Sequence, residues 1–212
     1  LKTSAGYFAF NGGLRFSYWD FNKEFLVSPR LNVAFVPERY NAMTFRFATG
    51  LYYQQPFYKE FRRPVEDEYG NTSILLNSSV KSQQSLHFIL GGDYTFRMFD
   101  RPFKLSAEGY YKKLDRLIPY EIDNLKIVYQ GVNSTNGYTT GLDLKLFGQF
   151  VPGTDSWISF SVMKTAENLN GVTVPRPTDQ RYSLAVFFTD YFPKFPKLKF
   201  SLRGIFSDGL PT

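Results

Sequence analysis

His87, the only histidine, and Ser106 on a neighbouring candidate strand are the residue types that nucleophilic catalysis uses. That chemistry needs the pair within hydrogen-bond reach and a third group to orient the base. Nothing in the sequence sets the register that would join them, so His87 reads as an interior-lining histidine. Glu66, Asp67 and Glu68 place three carboxylates in a row, the donor type that Ca²⁺ takes. No Gly-containing loop spacing of the EF kind follows, so the run reads as solvated loop. Asn71-Thr72-Ser73, Asn77-Ser78-Ser79 and Asn133-Ser134-Thr135 match the glycosylation sequon and are read as polar loop residues. The P-loop, G-x-S-x-G and H-E-x-x-H patterns are absent. There is no Cys, which excludes a thiol enzyme, a Cys-ligated zinc and a disulfide framework. Neither enzymatic activity nor a metal or cofactor is expected.

A second kind of chemistry is ligand capture. Tyr52, Tyr53, Phe57, Tyr58 and Phe61 cluster with Gln54, Gln55, Arg62 and Arg63 where a long loop begins. Aromatic faces and guanidinium groups grip ligands by stacking and cation–π contact. Tyr52 and Tyr53 read as boundary rings. Phe57, Tyr58, Phe61, Arg62 and Arg63 are the candidate ligand-binding set.

The elements that must position these residues follow a period of two. Over 103–111, Phe103, Leu105, Ala107, Gly109 and Tyr111 face one way, while Lys104, Ser106, Glu108 and Tyr110 face the other. The same alternation predicts nine strands, at about 8–19, 29–37, 43–54, 84–97, 102–116, 138–151, 156–166, 180–190 and 196–208. Four links between them are short and carry turn chemistry: 37–41, 98–101, 152–155 and 193–196. Long links span 55–83, 117–137 and 167–179, with a moderate one at 20–28. Short turns at one end and long loops at the other describe an up-and-down meander, the form of a transmembrane β-barrel.

The two faces differ in kind. The apolar one ends in rings at many strand termini: Tyr18 and Trp19, Tyr52 and Tyr53, Tyr94 and Phe96, Tyr110 and Tyr111, Tyr191 and Phe192. Amphipathic rings favour a membrane–water boundary. The other face carries Arg46, Asp93, Lys104, Glu108, Asp143, Lys145 and Arg203, with Arg15, Arg97, Lys112 and Lys199 beside them. A dry core would charge several kcal/mol for each unpaired ion, whereas a wet lumen would not. Lys104 and Glu108 are expected to pair with Asp143 or Lys145 across adjacent strands.

The chain has 212 residues, 43% hydrophobic, 19% aromatic and 21% charged. That apolar content excludes a disordered chain. No run reaches the roughly 18 apolar residues of a spanning helix. The net charge of +6 is scattered, not gathered on one element, so no nucleic-acid partner is expected. Nine strands is odd, and bacterial single-chain barrels have even numbers. Leu1 opens the chain without Met or a signal-like segment, and 207–211 reads as a strand running into a turn. Residues 1–212 are therefore expected to be one partial barrel domain, an incomplete arc of about nine strands.

Three segments carry a resemblance. Val27-Ser28-Pro29-Arg30-Leu31-Asn32-Val33-Ala34-Phe35-Val36-Pro37 is followed by Met43-Thr44-Phe45-Arg46-Phe47-Ala48-Thr49-Gly50-Leu51-Tyr52 and an aromatic loop. Phe103 to Ile118 reads as alternating apolar residues, then Tyr110-Tyr111, then Leu117-Ile118. Gly137-Tyr138-Thr139-Thr140-Gly141-Leu142-Asp143-Leu144 comes next. In order and spacing these resemble the late barrel strands of TonB-dependent outer-membrane receptors. Phe103 departs from the Leu usual there. The resemblance implies a barrel of 22 strands in the outer membrane of a Gram-negative cell, a plug domain, and a segment that engages TonB. It also implies import of a scarce bulky nutrient (an iron chelate, haem, cobalamin or a glycan) driven by the proton-motive force. Plug and TonB would be reached through parts outside this chain; lipid and the nutrient would be its own partners. A passive porin or adhesin barrel is the alternative. A barrel enzyme such as an outer-membrane lipase is a third reading.

Overall fold

The computed structural model describes residues 2–5, 7–66, 68–123, 126–192 and 194–209. Residues Asp67, Pro193, Leu210 and Pro211, named above in the acidic run and the turns, lie outside them. The strands are β1 (Lys2–Ala5), β2 (Phe8–Trp19), β3 (Glu24–Phe35), β4 (Met43–Gln54), β5 (Arg62–Glu66), β6 (Thr72–Leu76), β7 (Gln83–Met98) and β8 (Arg101–Leu117). They continue as β9 (Tyr120–Asp123), β10 (Lys126–Tyr129), β11 (Thr135–Gly148), β12 (Ser156–Leu169), β13 (Val172–Pro175), β14 (Tyr182–Phe192) and β15 (Phe195–Ser207). A single 3₁₀ turn, Glu38–Tyr40, is the one helical piece among the described residues.

One antiparallel sheet runs β1-β2-β3-β4-β7-β8-β11-β12-β14-β15, with β13 folded back onto β12. It is an open arc whose edges are β1 and β15. Its long strands, β2, β3, β4, β7, β8, β11, β12, β14 and β15, are the nine expected ones. β2 and β4 keep their expected bounds.

Three expectations change. β3 begins at Glu24, five residues early, which shrinks the expected link at 20–28. Phe25 and Val27 sit opposite Tyr18 and Phe16 and continue the apolar row. Pro29 reads as a strand start, yet the β3–β4 register begins only at Arg30↔Gly50. The N–H that Pro29 lacks therefore has no β4 partner to miss it. The long links are also not bare loops. One holds the β5–β6 hairpin, one the β9–β10 hairpin, and one begins with β13. The turn into β13 is Asn170-Gly171, with φ of 54° and 87°, the backbone of a two-residue hairpin. Finally, neighbouring rings do not share a face. Tyr18, Tyr53 and Tyr111 lie on the apolar side, while Trp19, Tyr52 and Tyr110 lie on the polar one, as a period of two requires.

Register fixes the rows. One row reads Phe8, Phe35, Phe45, Gly92, Ala107, Leu144, Phe160, Leu184 and Phe206, crossing all nine long strands. Its side of the sheet is open: Leu14, Leu90 and Phe206 are each about two-thirds exposed. Buried apolar side chains number six among the described residues, Leu26, Val80, Phe103, Leu117, Ile118 and Ala166. They form no layer against the sheet. A hollow of about 610 Å³ is lined mostly from the opposite side, by Asn11, Asn32, Arg46, Ala48, Gly91 and Glu108 among others. That side is therefore concave.

Close approach explains one glycine. Gly148 pairs with Phe103, and a Cβ there would overlap the Phe103 ring. Gly148→Val is expected to cost about 1–3 kcal/mol by overpacking, seen as a lower unfolding midpoint in urea by circular dichroism. Gly13→Ala, where a Cβ meets nothing within 4 Å, should leave the midpoint nearly unchanged.

Candidate functional site

The concave face holds the seven charged residues read from the sequence, and their pairing follows the register. Asp93 on β7 takes Arg46 of β4 at 3.2 Å and Lys104 of β8 at 3.2 Å. It also accepts a 2.7 Å hydrogen bond from the Ser106 hydroxyl. Lys104 therefore pairs with Asp93 and not with Asp143. Glu108 lies directly opposite Asp143, a like-charge pair, and neither makes an ion pair among the described residues. Both side chains are half-buried and not fully enclosed. Lys145 sits 5.1 Å over the Trp157 ring. Arg203 is exposed opposite Phe187.

His87 and Ser106 do not meet. Ser106 pairs with Asp93, six residues along β7 from His87, which is about 20 Å of strand. His87 instead stacks on Tyr52, centroids 4.3 Å apart, and Arg30 covers the same ring at 4.4 Å. Glu66 and Glu68 are exposed.

The long-loop end of the concave face is closed over by three connections. Between them is a cavity of about 500 Å³. β4 and β7 supply Tyr52, Gln54 and Ser85; the loop after β4 supplies Phe57 and Glu60. The β9–β10 hairpin adds Tyr120 and Tyr129, and the loop after β13 adds Arg176. Phe57 meets Tyr129 edge-on at 6.1 Å, and Tyr120 lies 5.5 Å from Tyr129.

Of the expected ligand-binding set, only Phe57 lines this cavity. Phe61 packs on Phe21 at 4.7 Å and Trp19 at 6.3 Å. Arg62 lies 5.2 Å over Tyr58. Arg63 pairs with Leu75 in the β5–β6 hairpin; its side chain is not among those described. Sequence reasoning missed Glu60, Tyr120, Tyr129 and Arg176, which come from three separate connections. A signal was present for one of those connections, the Asn170-Gly171 hairpin that turns β13 back on β12.

Two asparagines read as polar loop residues hold the loops together. Asn133 accepts from the Lys81 N–H at 2.7 Å and donates to the carbonyls of Lys81 at 2.9 Å and Arg116 at 2.7 Å. Asn77 donates to the Gly131 carbonyl at 2.9 Å. The tip of β2–β3 joins them. Asn22 donates to the Val80 carbonyl at 2.8 Å, and Glu24 accepts from the Ser82 N–H at 2.8 Å. The third loop is pinned by Asp179, which is buried, accepts the Thr165 N–H at 2.6 Å and pairs with Arg181 at 2.7 Å.

No family model, curated protein or solved structure matches this chain.

Glu60 is 6% exposed and accepts from the Phe57 N–H and the Gln83 amide, each at 3.0 Å. Burial raises its carboxyl above the ordinary 4.5, against the pull of those two donors and Arg176. Burial likewise raises the Tyr120 and Tyr129 hydroxyls. Between 4.5 and its folded value, Glu60 binds more protons in the closed loop than in an open one. Closure is then strongest at low pH and weakens as pH rises through the folded value. Protection factors of the Phe57 and Glu60 amides, corrected for intrinsic exchange, should fall as pH is raised from 4 to about 7. Glu60→Gln should flatten that dependence.

Proposed function

We propose that this chain is an arc of a transmembrane β-barrel in an outer membrane, part of a TonB-dependent importer whose outer loops capture a nutrient. The observation that carries this is the two-faced sheet. A continuous apolar surface is open on the convex side, and a charged surface lies on the concave side. A water-soluble sheet would cover the first with a second layer; hydrocarbon chains cover it in a membrane.

Dimensions support the reading. On β7 the outward apolar residues run from Leu86 to Phe96. Ten steps of about 3.4 Å, tilted about 40°, rise about 26 Å. The lipid-facing band of an outer-membrane barrel is about 25 Å tall. Rings bound that band: Tyr111 and Tyr138 stack at 6.3 Å near the long loops, and Tyr94 and Phe96 at 5.4 Å near the short turns. The unpaired edges of β1 and β15 call for further strands, since lipid leaves no backbone group unsatisfied. Energy coupling and the count of 22 strands rest on the resemblance of segments 27–58 and 103–144 to TonB-dependent receptors. The loop-end cavity supports capture of a ligand by the outer loops.

Two measurements test this. Phe160 and Ser159 are sequence neighbours on opposite faces. In folding titrations into bilayers, Phe160→Arg should cost about 2–4 kcal/mol, the midplane value for a cation on the lipid side. Ser159→Arg, facing the wet interior, should cost under about 1 kcal/mol. Equal costs would remove the membrane reading. For the importer, deletion should abolish uptake of one limiting nutrient, and a protonophore should do the same in the intact strain. Unselective conductance in planar bilayers, insensitive to energy, would support the passive pore instead.

A further inference from the structure

We propose that the cavity between the long loops binds a neutral, hydroxyl-rich ring compound, the end of an oligosaccharide. This deepens the importer reading and rests on it. Three features of the lining select the class.

The first is shape. Phe57, Tyr120 and Tyr129 present ring faces and edges from two loops, and Tyr52 closes the floor. Pyranose rings carry C–H faces that lie against aromatic rings. The volume, about 500 Å³, is in the usual range for ligand clefts of about 300–1,000 Å³.

The second is charge. Glu60 and Arg176 have opposite signs. Arg176 is already 3.8 Å from Glu167, and burial pushes Glu60 toward its neutral form. Among the described residues Arg176 is the only Lys or Arg that lines the cavity, and with Glu167 beside it the lining offers little to an anionic iron chelate or to haem carboxylates. A neutral ligand loses nothing by this balance.

The third is hydrogen bonding. Gln54 and Gln83 offer both a donor and an acceptor from each amide. Ser85 Oγ and Arg176 Nε are enclosed and have no hydrogen-bond partner among the described residues; the Glu167 oxygen at 3.8 Å is too far to be one. Orphaned buried polar atoms are costly and are expected to find partners. A hydroxyl both donates and accepts, so one hydroxylated ring satisfies donors and acceptors of this mixed kind together.

The test uses the full protein in detergent micelles, with isothermal titration of maltohexaose, cellohexaose, mannohexaose and xylohexaose. A tris-catecholate iron(III) chelate and vitamin B12 are the charged and bulky controls. At least one hexasaccharide should bind. Tyr129→Ala should weaken it about tenfold or more, the loss of a stacking ring. Tyr129→Phe keeps the ring and should lose less, which separates stacking from a folding defect. Phe99→Ala, in the exposed turn at the far end of β7, should bind as wild type. If all four hexasaccharides fail, or only the chelate or vitamin B12 binds in a Tyr129-dependent way, the proposal is overturned. Protonophore-sensitive uptake of some other nutrient would then leave the importer standing. Hexasaccharide binding without energised uptake would do the reverse, sustaining the site and removing the importer.

Discussion

A strand turns successive side chains to opposite faces, and here that alternation is locked across nine strands by register. A slip of one residue on any strand would move its whole outward row to the charged side. On β7 it would carry Asp93 outward and Leu90 inward. Contacts on both faces resist the slip. Asp93 ties β4, β7 and β8 through Arg46, Lys104 and Ser106. Gly148 accepts the Phe103 ring at one level only. These contacts are few and partly exposed, so each one's contribution to stability is modest. Their part is to specify the pairing.

How much of this was legible in the sequence follows from how local each cause is. The bounds of β2 and β4 were readable because alternation runs uninterrupted and turn residues end it. β3 was cut short at Pro29, since a proline inside an alternating run looks like a boundary. What excuses it is the absence of a β4 partner below Arg30, a long-range fact. The β5–β6 and β9–β10 hairpins look like loop in the sequence because each strand is too short for periodicity to register. The ring pairs misled for a simpler reason: adjacent rings look like one girdle, yet only one of each pair can face outward.

Charge pairing shows the same division. Alternation put Lys104, Glu108, Asp143 and Lys145 on the inner face. It did not say who stands opposite whom, and the partner expected for Lys104 on β11 is in fact Asp93 on β7. Glu108 faces Asp143 instead. Such a pair would be intolerable in a dry core and is acceptable beside water, so it is itself an argument for a hydrated interior.

The candidate site was the least legible part, because its residues converge from connections far apart in sequence. Phe57 was visible as one of a run of rings. Tyr129 is held near Phe57 with the help of Asn133 and Asn77, and the loop of Arg176 by Asp179, side chains whose types say no more than polar loop. An asparagine amide supplies both donor and acceptor, so Asn133 imitates a backbone bridge to Lys81 while still capping Arg116. Loops fixed this way pay their ordering entropy during folding and not during capture. A cavity formed in advance holds a ligand with fewer contacts than a floppy one needs. The same bonds that hide the site from a reader of the sequence therefore make it a site at all.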